Sequence, residues 1–284
     1  MMELMARNFS DRSTSYTPEI GEQLLAFVAA AASDPRVKQA VEDNHDSNRW
    51  WPPTINDWRM RLLVAGWSAR ISYSMIDTYA AVVSRADEVG FDRLALMNDT
   101  EVSTVVGSLG LHTARINYLR SLTAFLDKFG PEGEATMRRD PNTFIRLFAR
   151  NVSYASYKVA QCATLYACGY HCGIIPVDSG MVDKLAGCLG WRFSRGPVAH
   201  EEMRELLERA ATDCEFEIQG LIRDLDYRVT IPAGVAPTWW LHLVLIYYKR
   251  LYCTHRHPRD CPGMATESGA RACRGSRTLI SSMP

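Results

Sequence analysis

Apolar residues recur at helical spacing along almost the whole chain, and this periodicity limits the folds that the chain can adopt. Segments of this kind run from Trp58 to Trp67, from Thr113 to Phe129 and from Thr238 to Tyr252. Gly130 follows the second of them and Gly110 follows another helical segment, Asp99 to Leu109, at positions where a left-handed cap ends a helix. No segment shows the alternation of apolar and polar residues typical of a half-buried strand. The sequence therefore predicts an all-α fold.

The composition is that of a folded globular chain. Hydrophobic residues make up 47% and charged residues 23% of the 284 residues, which excludes a disordered chain, a collagen and a coiled-coil rod. Because 32 Lys and Arg balance 32 Asp and Glu, no overall positive field attracts nucleic acid, and any DNA contact must be local. The longest apolar run, Leu24 to Ala32, is too short to cross a bilayer, so we expect no membrane partner.

The termini and the cysteines indicate where the protein works. Residues Met1 to Ser15 have no apolar signal core, which predicts that the chain is not secreted. Most of the eight cysteines lie in apolar or helical segments, where a free thiol behaves as a small hydrophobe. We therefore expect reduced thiols and a cytoplasmic location. Residues 264–284, rich in Ser, Gly and Arg, are expected to form a flexible basic tail.

One stretch can bring a lysine and an aspartate together. Lys158 lies near the start of a predicted helix that ends at Gly169, and Asp178 begins the next helix. That helix is about 17 Å long at ~1.5 Å per residue. The intervening loop can extend about 30 Å, so it can return Asp178 to the lysine end. The spacing permits a Lys–Asp pair at one cleft. A solvated lysine and an ordinary helix cap remain the alternatives.

These segments resemble the helix-hairpin-helix DNA glycosylases, the endonuclease III-like superfamily. The family's hairpin, roughly L-P-G-V-G-x-K-T-A, matches residues 152–160, and the V-D of its V-D-T-H matches Val177-Asp178. Residues 105–115, VVGSLGLHTAR, are similar to its I-x-x-x-G-L-x-x-x-K/R turn, and residues 62–65 resemble its first barrel helix. The similarity covers about residues 55–262.

The resemblance implies a two-lobed helical fold with a helix-hairpin-helix. Residues 57–170 would form a helical barrel lobe that includes the hairpin. Residues 1–56 would join residues 171–263 in a second helical lobe. The expected protein is a monomer that removes a damaged or modified base during base-excision repair, with or without cleavage of the abasic strand.

The resemblance also implies roles for two residues. Asp178 would support substitution at C1′ of the sugar by stabilising the sugar cation and activating the nucleophile. Lys158 would be that nucleophile, forming a Schiff base that permits strand cleavage by elimination. The substrate would be double-stranded DNA whose target base has been flipped out of the stack.

The hairpin is expected to contact the DNA backbone. The candidate contacts are Ser153, Tyr154, Ala155, Ser156 and Tyr157. Tyr154 and Ser156 occupy positions where the family has glycines, which let backbone amides approach a phosphate closely, so Tyr154 would obstruct or redirect that approach. Trp67 follows the position of a family glutamine that fills the gap left by the flipped base. It would stack on a base or be a core residue.

The C-terminal cysteines depart from the family's iron–sulfur pattern, C-x6-C-x2-C-x5-C. Cys253, Cys261 and Cys273 remain, and Met264 stands where another cysteine would fall. Three thiolates do not complete a four-thiolate cluster, so we expect the [4Fe–4S] cluster to be lost and no metal to be bound. A zinc site that adds His255 and His257 is the alternative.

Two other classes of function stay open. The lost hairpin glycines and the zero net charge are compatible with a non-catalytic DNA-binding or partner-binding module on the same fold. The altered hairpin is also compatible with an N-glycosidase that acts on a free nucleotide or nucleoside.

Overall fold

The structure, a computed structural model, describes residues 13–253 and Cys261. These residues form helices and contain no strand, which confirms the predicted all-α class. The helices are α1 (Pro18–Ala32), α2 (Pro35–His45), α3 (Trp58–Trp67), α4 (Ile76–Val89), α5 (Phe91–Leu96), α6 (Asp99–Val106), α7 (His112–Phe129), α8 (Gly133–Arg139), α9 (Pro141–Asn151), α10 (Tyr157–Cys168), α11 (Ala186–Cys188), α12 (Val198–Asp213), α13 (Glu215–Asp224) and α14 (Thr238–Tyr248). Short 3₁₀ turns cover Tyr73–Met75 and Gly107–Leu109, and π-helical segments cover Met181–Leu185 and Lys249–Cys253.

Three helices begin with the same local device, a capping side chain followed by proline. Thr17 Oγ1 accepts from the amide of Ile20 at the start of α1, at 3.4 Å. Asp34 and Asp140 cap α2 and α9 in the same way, and a proline follows each of them. Because proline has no amide hydrogen to leave unpaired, it fits this first position, and the cap satisfies the next amides.

Helices α3 and α10 lie side by side at the centre of the described residues. α10 also packs on α8, α9 and α12, while α7 contacts α3, α5, α6 and α9. α14 packs on α1, α2 and α12. The helix α10, which carries Lys158, is therefore held by neighbours from both the first and the last parts of the chain.

Aromatic residues anchor α9 to α7. The Phe125 ring meets Phe144 at 5.9 Å and Phe148 at 5.5 Å between centroids, both edge to face. Phe144 and Phe148 are completely buried. Such edge-to-face pairs add directional packing to the burial of apolar area. They fix the orientation of α9 and thereby the position of the turn that follows it.

α14 is apolar along its whole length, and all eleven of its residues are buried. Its burial against α1, α2 and α12 accounts for this composition without a lipid environment. No helix of the described part of the chain is long and apolar enough to span a membrane. The predicted tail, residues 264–284, lies outside the described residues.

Candidate functional site

A cavity of about 200 Å³ lies between α10, α14 and the loops near residues 50 and 177. Lys158 and Asp178 both line it, although 20 positions separate them in the chain. Trp50, Trp51 and Trp239 supply aromatic walls. Concave, partly apolar pockets with a few polar groups are the usual setting of small-ligand and active sites. The cavity is therefore the candidate active site.

Lys158 is the second residue of α10, and its side chain follows the helix into the cavity. It is half-buried and hydrogen-bonds to the thiol of Cys162, one turn further along α10. Burial raises the pKa of Cys162, and the charge of Lys158 only partly opposes this effect. The thiol therefore stays neutral near pH 7.

Asp178 caps the helical segment that follows it and forms an ion pair across the fold. Its Oδ1 accepts from the amide of Met181 at 2.9 Å, and its Oδ2 accepts from the Lys249 ammonium. Burial raises the pKa of Asp178, but the charge and hydrogen bond of Lys249, the Met181 amide and the charge of Lys158 outweigh burial, so the pKa lies below its ordinary value. The carboxylate is ionised.

Lys249 is a site residue that the motif comparison did not identify. It begins the π-helical segment after α14 and is 8% exposed. A Cβ at Gly180 would lie 2.9 Å from Lys249 Cδ, so the absence of a side chain at Gly180 lets the lysine reach Asp178. Lys249 and Asp178 are 71 positions apart, and no local pattern in the sequence relates them.

His242 also lines the cavity and ends a series of stacked rings. Its imidazole stacks on Trp239 at 5.4 Å, and Trp239 stacks on Tyr170 at 4.8 Å. Its Nδ1 is buried and has no hydrogen-bond partner among the described residues. Burial, and then the charge of Arg250, lower the pKa of His242 to about 3, so the ring is neutral at physiological pH. A neutral ring nitrogen is available to a ligand.

The stacked rings continue from Tyr170 to Trp51 and hold the loop near residue 51 in place. Tyr170 stacks on Tyr166 at 6.2 Å, and Tyr166 stacks on Trp51 at 6.0 Å. The hydroxyl of Tyr170 donates to the Trp51 carbonyl, and that of Tyr166 donates to the Pro52 carbonyl at 2.6 Å. These contacts place Trp51 at the cavity wall.

Polar side chains hold the extended segment before Asp178. The amide of Val177 donates to Gln161 Oε1 at 2.9 Å, and its carbonyl lies 2.9 Å from His200 Nδ1. The amide of Ile175 donates to Glu208 Oε1 at 3.0 Å. Because every one of these partners is a side chain of α10 or α12, the position of Asp178 depends on both helices.

Arg204 connects those partners to one another. Its guanidinium is fully buried and donates to Glu201 at 3.0 Å and to Glu208 at 2.6 Å. Glu201 in turn accepts from Gln161 at 2.6 Å. Burial raises the pKa of Glu208 to about 6 in spite of the opposing charge of Arg204. The network that positions Asp178 therefore consists of charged side chains that are largely shielded from solvent.

The predicted hairpin segment joins α9 to α10 through a tight turn. Tyr154, at the position of a family glycine, has a left-handed φ of 65° and is 59% exposed. The amide of Ser153 donates to Ser121 Oγ at 2.8 Å, and the amide of Ala155 donates to the Val152 carbonyl at 3.1 Å. The turn thus keeps the backbone shape that glycine favours, at a cost of about 1 kcal/mol for a tyrosine.

The other hairpin candidates differ in exposure. Ser156 is exposed and is the N-cap residue of α10, where its side chain makes no capping hydrogen bond. Tyr157 is half-buried, whereas Ala155 is only 6% exposed. Ala155 can therefore offer little side-chain surface to a ligand.

The base-stacking role considered for Trp67 is wrong. Its side chain is fully buried, and its Nε1 donates to the Arg115 carbonyl at 3.1 Å. It belongs to the core between α3 and α7. Tryptophan occurs both in the α3 core and at the cavity wall, and burial distinguishes the two kinds of position.

Two of the three C-terminal cysteines, Cys253 and Cys261, lie among the described residues. Cys261 is buried, and its Sγ lies 3.0 Å from the Tyr248 hydroxyl. Cys253 ends the last π-helical segment, and Cys273, like His255 and His257, lies outside the described residues. Within the described part, no group of three or more His, Cys, Asp or Glu side chains is arranged to hold a metal.

The cavity thus combines an ionised carboxylate, a lysine, a neutral imidazole and an aromatic wall, and a second lysine, Lys249, holds the carboxylate. Comparison with family models, with curated proteins and with solved structures gives no match to this chain, so what the cavity does must be inferred from its own chemistry.

Proposed function

We propose that this protein is an N-glycosidase of the helix-hairpin-helix type, which excises a damaged or modified base flipped out of double-stranded DNA. The observation that carries the proposal is that Lys158 and Asp178 line one cavity. An ionised carboxylate and an amine are the two groups that C1′ substitution requires. The tryptophan walls suit the flat, apolar faces of a base.

In the proposed reaction, the ionised Asp178 stabilises positive charge that develops on the sugar as the N-glycosidic bond breaks. The Lys158 ammonium first gives up a proton, its amine then attacks C1′, and the base leaves with the bonding electrons and takes up a proton. Loss of the amine proton and ring opening then give a Schiff base, from which elimination cleaves the strand. Lys249 keeps Asp178 ionised in its buried position.

The proposal includes the two-lobed fold of that superfamily, a monomeric protein and a role in base-excision repair in the cytoplasm. The helix–turn–helix of α9 and α10 supports the first of these, because its turn leads directly into the helix of Lys158. The exposed side chains of Ser153, Tyr154 and Ser156 are available to a DNA backbone.

A second candidate is an N-glycosidase for a free nucleotide, and the charge at the cavity favours it. Arg70, Lys158 and Arg250 line the cavity, while Asp178 is its only lining carboxylate among the described residues. Arg70 is exposed and has a left-handed φ of 59°, a conformation that costs energy for a non-glycine residue. Such an excess of basic groups matches a phosphate carried by the substrate.

The test compares substrates and variants. Duplexes with lesions or abasic sites, and a panel of mononucleotides, are incubated with the protein, and base release and borohydride-trapped adducts are measured. We expect Asp178→Asn to abolish base release and strand cleavage, and Lys158→Ala to abolish trapping while leaving slow release through an activated water. Release from mononucleotides alone favours the second candidate.

Activity that persists in both variants contradicts the catalytic assignments. If the protein binds DNA but releases no base from any substrate, and Asp178→Asn does not change binding, the chain is a non-catalytic binding module instead. Lys184→Gln, which alters an exposed lysine bonded to the Cys253 carbonyl at 2.8 Å, is the control for a general loss of positive charge.

A further inference from the structure

Two cysteines meet where α10 ends. Cys168 is the last residue of α10, and the chain then turns so that the amide of Cys172 donates to the Gly169 carbonyl at 3.1 Å. The turn folds Cys172 back on the helix, and its Sγ lies 4.0 Å from the Leu165 carbonyl oxygen. The two thiols are within hydrogen-bonding distance of each other.

The backbone on both sides of Cys172 has the freedom that a disulfide needs. Gly169 and Gly173 bracket the turn with left-handed φ angles of 98° and 90°. A disulfide requires the two Cα atoms to approach to about 4.4–6.8 Å. Small rotations at Gly169, which lies between the two cysteines, can adjust that distance without strain on a side chain, and Gly173 lets the following segment adapt.

A small reagent can reach the pair. Cys168 and Cys172 are both partly exposed, unlike Cys162 in the middle of the same helix. Cys172 also lines a second, more open cavity of about 390 Å³, together with Asn142, Ile174 and Glu208. This cavity and the candidate active site share no lining residue.

The two thiols differ in acidity. The hydrogen bond from Cys172 lowers the pKa of Cys168, burial opposes it, and the charge of Arg138 lowers the pKa further. Arg138 is held there because it donates to the Cys168 carbonyl at 3.1 Å and to the Ala167 carbonyl at 3.2 Å. The same thiol contact raises the pKa of Cys172. Cys168 is therefore the attacking thiol and Cys172 the resolving thiol.

We propose that Cys168 and Cys172 are a redox-active dithiol that exchanges with a small disulfide of the glutathione class. The Cys168 thiolate attacks one sulfur of the small disulfide, forms a mixed disulfide and releases one small thiolate, which takes up a proton. The Cys172 thiol then loses its proton and attacks Cys168 Sγ, which releases the second small thiol. Two protein thiols become one disulfide, and the small disulfide is reduced to two thiols.

The proposal does not depend on glycosidase activity. The disulfide would join the end of α10 to the segment of residues 173–178, which carries Asp178. Oxidation would therefore fix the loop between the helix of Lys158 and Asp178.

The test uses the full chain in glutathione buffers of increasing oxidised fraction, followed by alkylation and peptide mass spectrometry. We expect a disulfide between Cys168 and Cys172 to form while Cys214, also partly exposed, is still alkylated. Cys168→Ser should abolish the disulfide and leave Cys172 unreacted. Cys172→Ser should stop the reaction at a glutathione adduct on Cys168, with far-UV circular dichroism unchanged.

Two results overturn the proposal. One is oxidation of Cys214 at the same or a lower oxidised fraction than the pair, which indicates no special reactivity. The other is a Cys172→Ser protein that stays folded and forms no adduct on Cys168. Cys214→Ser is the matched control, and it should leave the disulfide between Cys168 and Cys172 intact.

Discussion

At the scale of single residues, the Asp178–Lys249 pair decides how the two lysines divide their work. Lys249 touches the carboxylate directly, whereas Lys158 acts on it through its charge. An ammonium that is committed to an ion pair is a poor nucleophile, because its electron pair carries a proton. In the proposed reaction, Lys249 therefore supports Asp178 and Lys158 is the attacking amine.

Replacement of the supporting lysine tests this division. We expect Lys249→Gln to raise the pKa of Asp178, to slow base release at least tenfold and to lower the free energy of unfolding by about 3 kcal/mol, as for a broken buried pair. Borohydride trapping should persist, measured on the same lesion duplex. Loss of trapping in Lys249→Gln, together with full trapping in Lys158→Ala, would reverse the two roles.

His242 makes stability depend on pH. Its folded pKa of about 3 lies below the ordinary value of 6.5, so the unfolded chain binds a proton between these values and the folded protein does not. Stability must therefore fall as the pH drops from 6.5 towards 3, by about 1.4 kcal/mol per unit, or about 2 kcal/mol at pH 5. Urea unfolding at pH 7.5 and pH 5 should show that His242→Gln loses this part of the slope.

Glu208 changes the stability with pH in the opposite direction from His242 and therefore serves as a control. Its folded pKa of about 6 exceeds the ordinary value of 4.5, so the folded protein binds the extra proton and gains stability as the pH falls from 6 to 4.5. Glu208→Gln should make acid destabilisation steeper. If His242→Gln leaves the slope between pH 7.5 and pH 5 unchanged, the imidazole is not buried as a neutral ring.

At the scale of helices, glycine permits the close approach of α3 and α7. A Cβ at Gly66 would lie 2.1 Å from Cζ of Tyr118, whose hydroxyl donates to the Leu62 carbonyl at 2.9 Å. The helices must separate or the buried ring must move to admit any side chain. The α3 helix that carries Gly66 also packs against α10.

Gly66→Ala should therefore be costly. Overpacking of a closed core costs 1–3 kcal/mol, and we expect about 3 kcal/mol here because the obstacle is a buried ring held by a hydrogen bond. Gly107→Ala is the matched control: it has helical angles and no atom within 4 Å of the added Cβ, so its effect should be within about 1 kcal/mol. Thermal and urea unfolding measure both, and equal stabilities of the two variants would contradict the packing argument.

The sequence predicted elements best where a strong periodic segment ends in glycine. α7 ends at the predicted Phe129, directly before Gly130, and α10 ends one residue before the predicted Gly169. The polar composition of α2 gives no clear helical periodicity, although Asp34 and a following proline cap the helix. Its helix is stabilised by packing on α14, which local periodicity does not report.

At the scale of the whole molecule, the buried network around Arg204 joins α10, α12 and the segment of Asp178. Arg204→Met leaves Glu201 and Glu208 buried without their cation, and we expect a loss of 3–5 kcal/mol. Hydrogen exchange should quicken at the amides of Ile175 and Val177. The control is Arg209→Met, one turn away, where an exposed pair with Asp213 at 2.8 Å should contribute less than about 1 kcal/mol.

An Arg204→Met protein as stable as Arg209→Met would mean that water reaches the network and compensates its charges. A normal exchange rate at Ile175 and Val177 would show that the backbone segment does not depend on it. Either result would show that the position of Asp178 does not depend on α12.

How much of the site could be predicted depended on distance along the chain. The approach of Lys158 and Asp178 was predictable from chain lengths because only one helix and one loop separate them. Trp50 and His242 come from the first and last thirds of the described residues, and tertiary packing alone brings them to the cavity, as it brings Lys249 to Asp178. Trp67 shows that an aromatic side chain close to the site in the sequence can instead be fully buried in the core.

The span of the cavity along the chain has a consequence for biosynthesis. Its lining begins at Asn48 and ends at Arg250, so a ribosome must release almost all of that span before the walls can close. At a synthesis rate of roughly 5–20 residues per second, the face of α2 that packs on α14 is made about 10–40 s before α14. During that interval Tyr170 and the face of α2 that packs on α14 lack their apolar cover. The emerging chain is therefore a natural client for a chaperone, and a stalled chain ending before residue 238 should aggregate while the released protein stays dispersed.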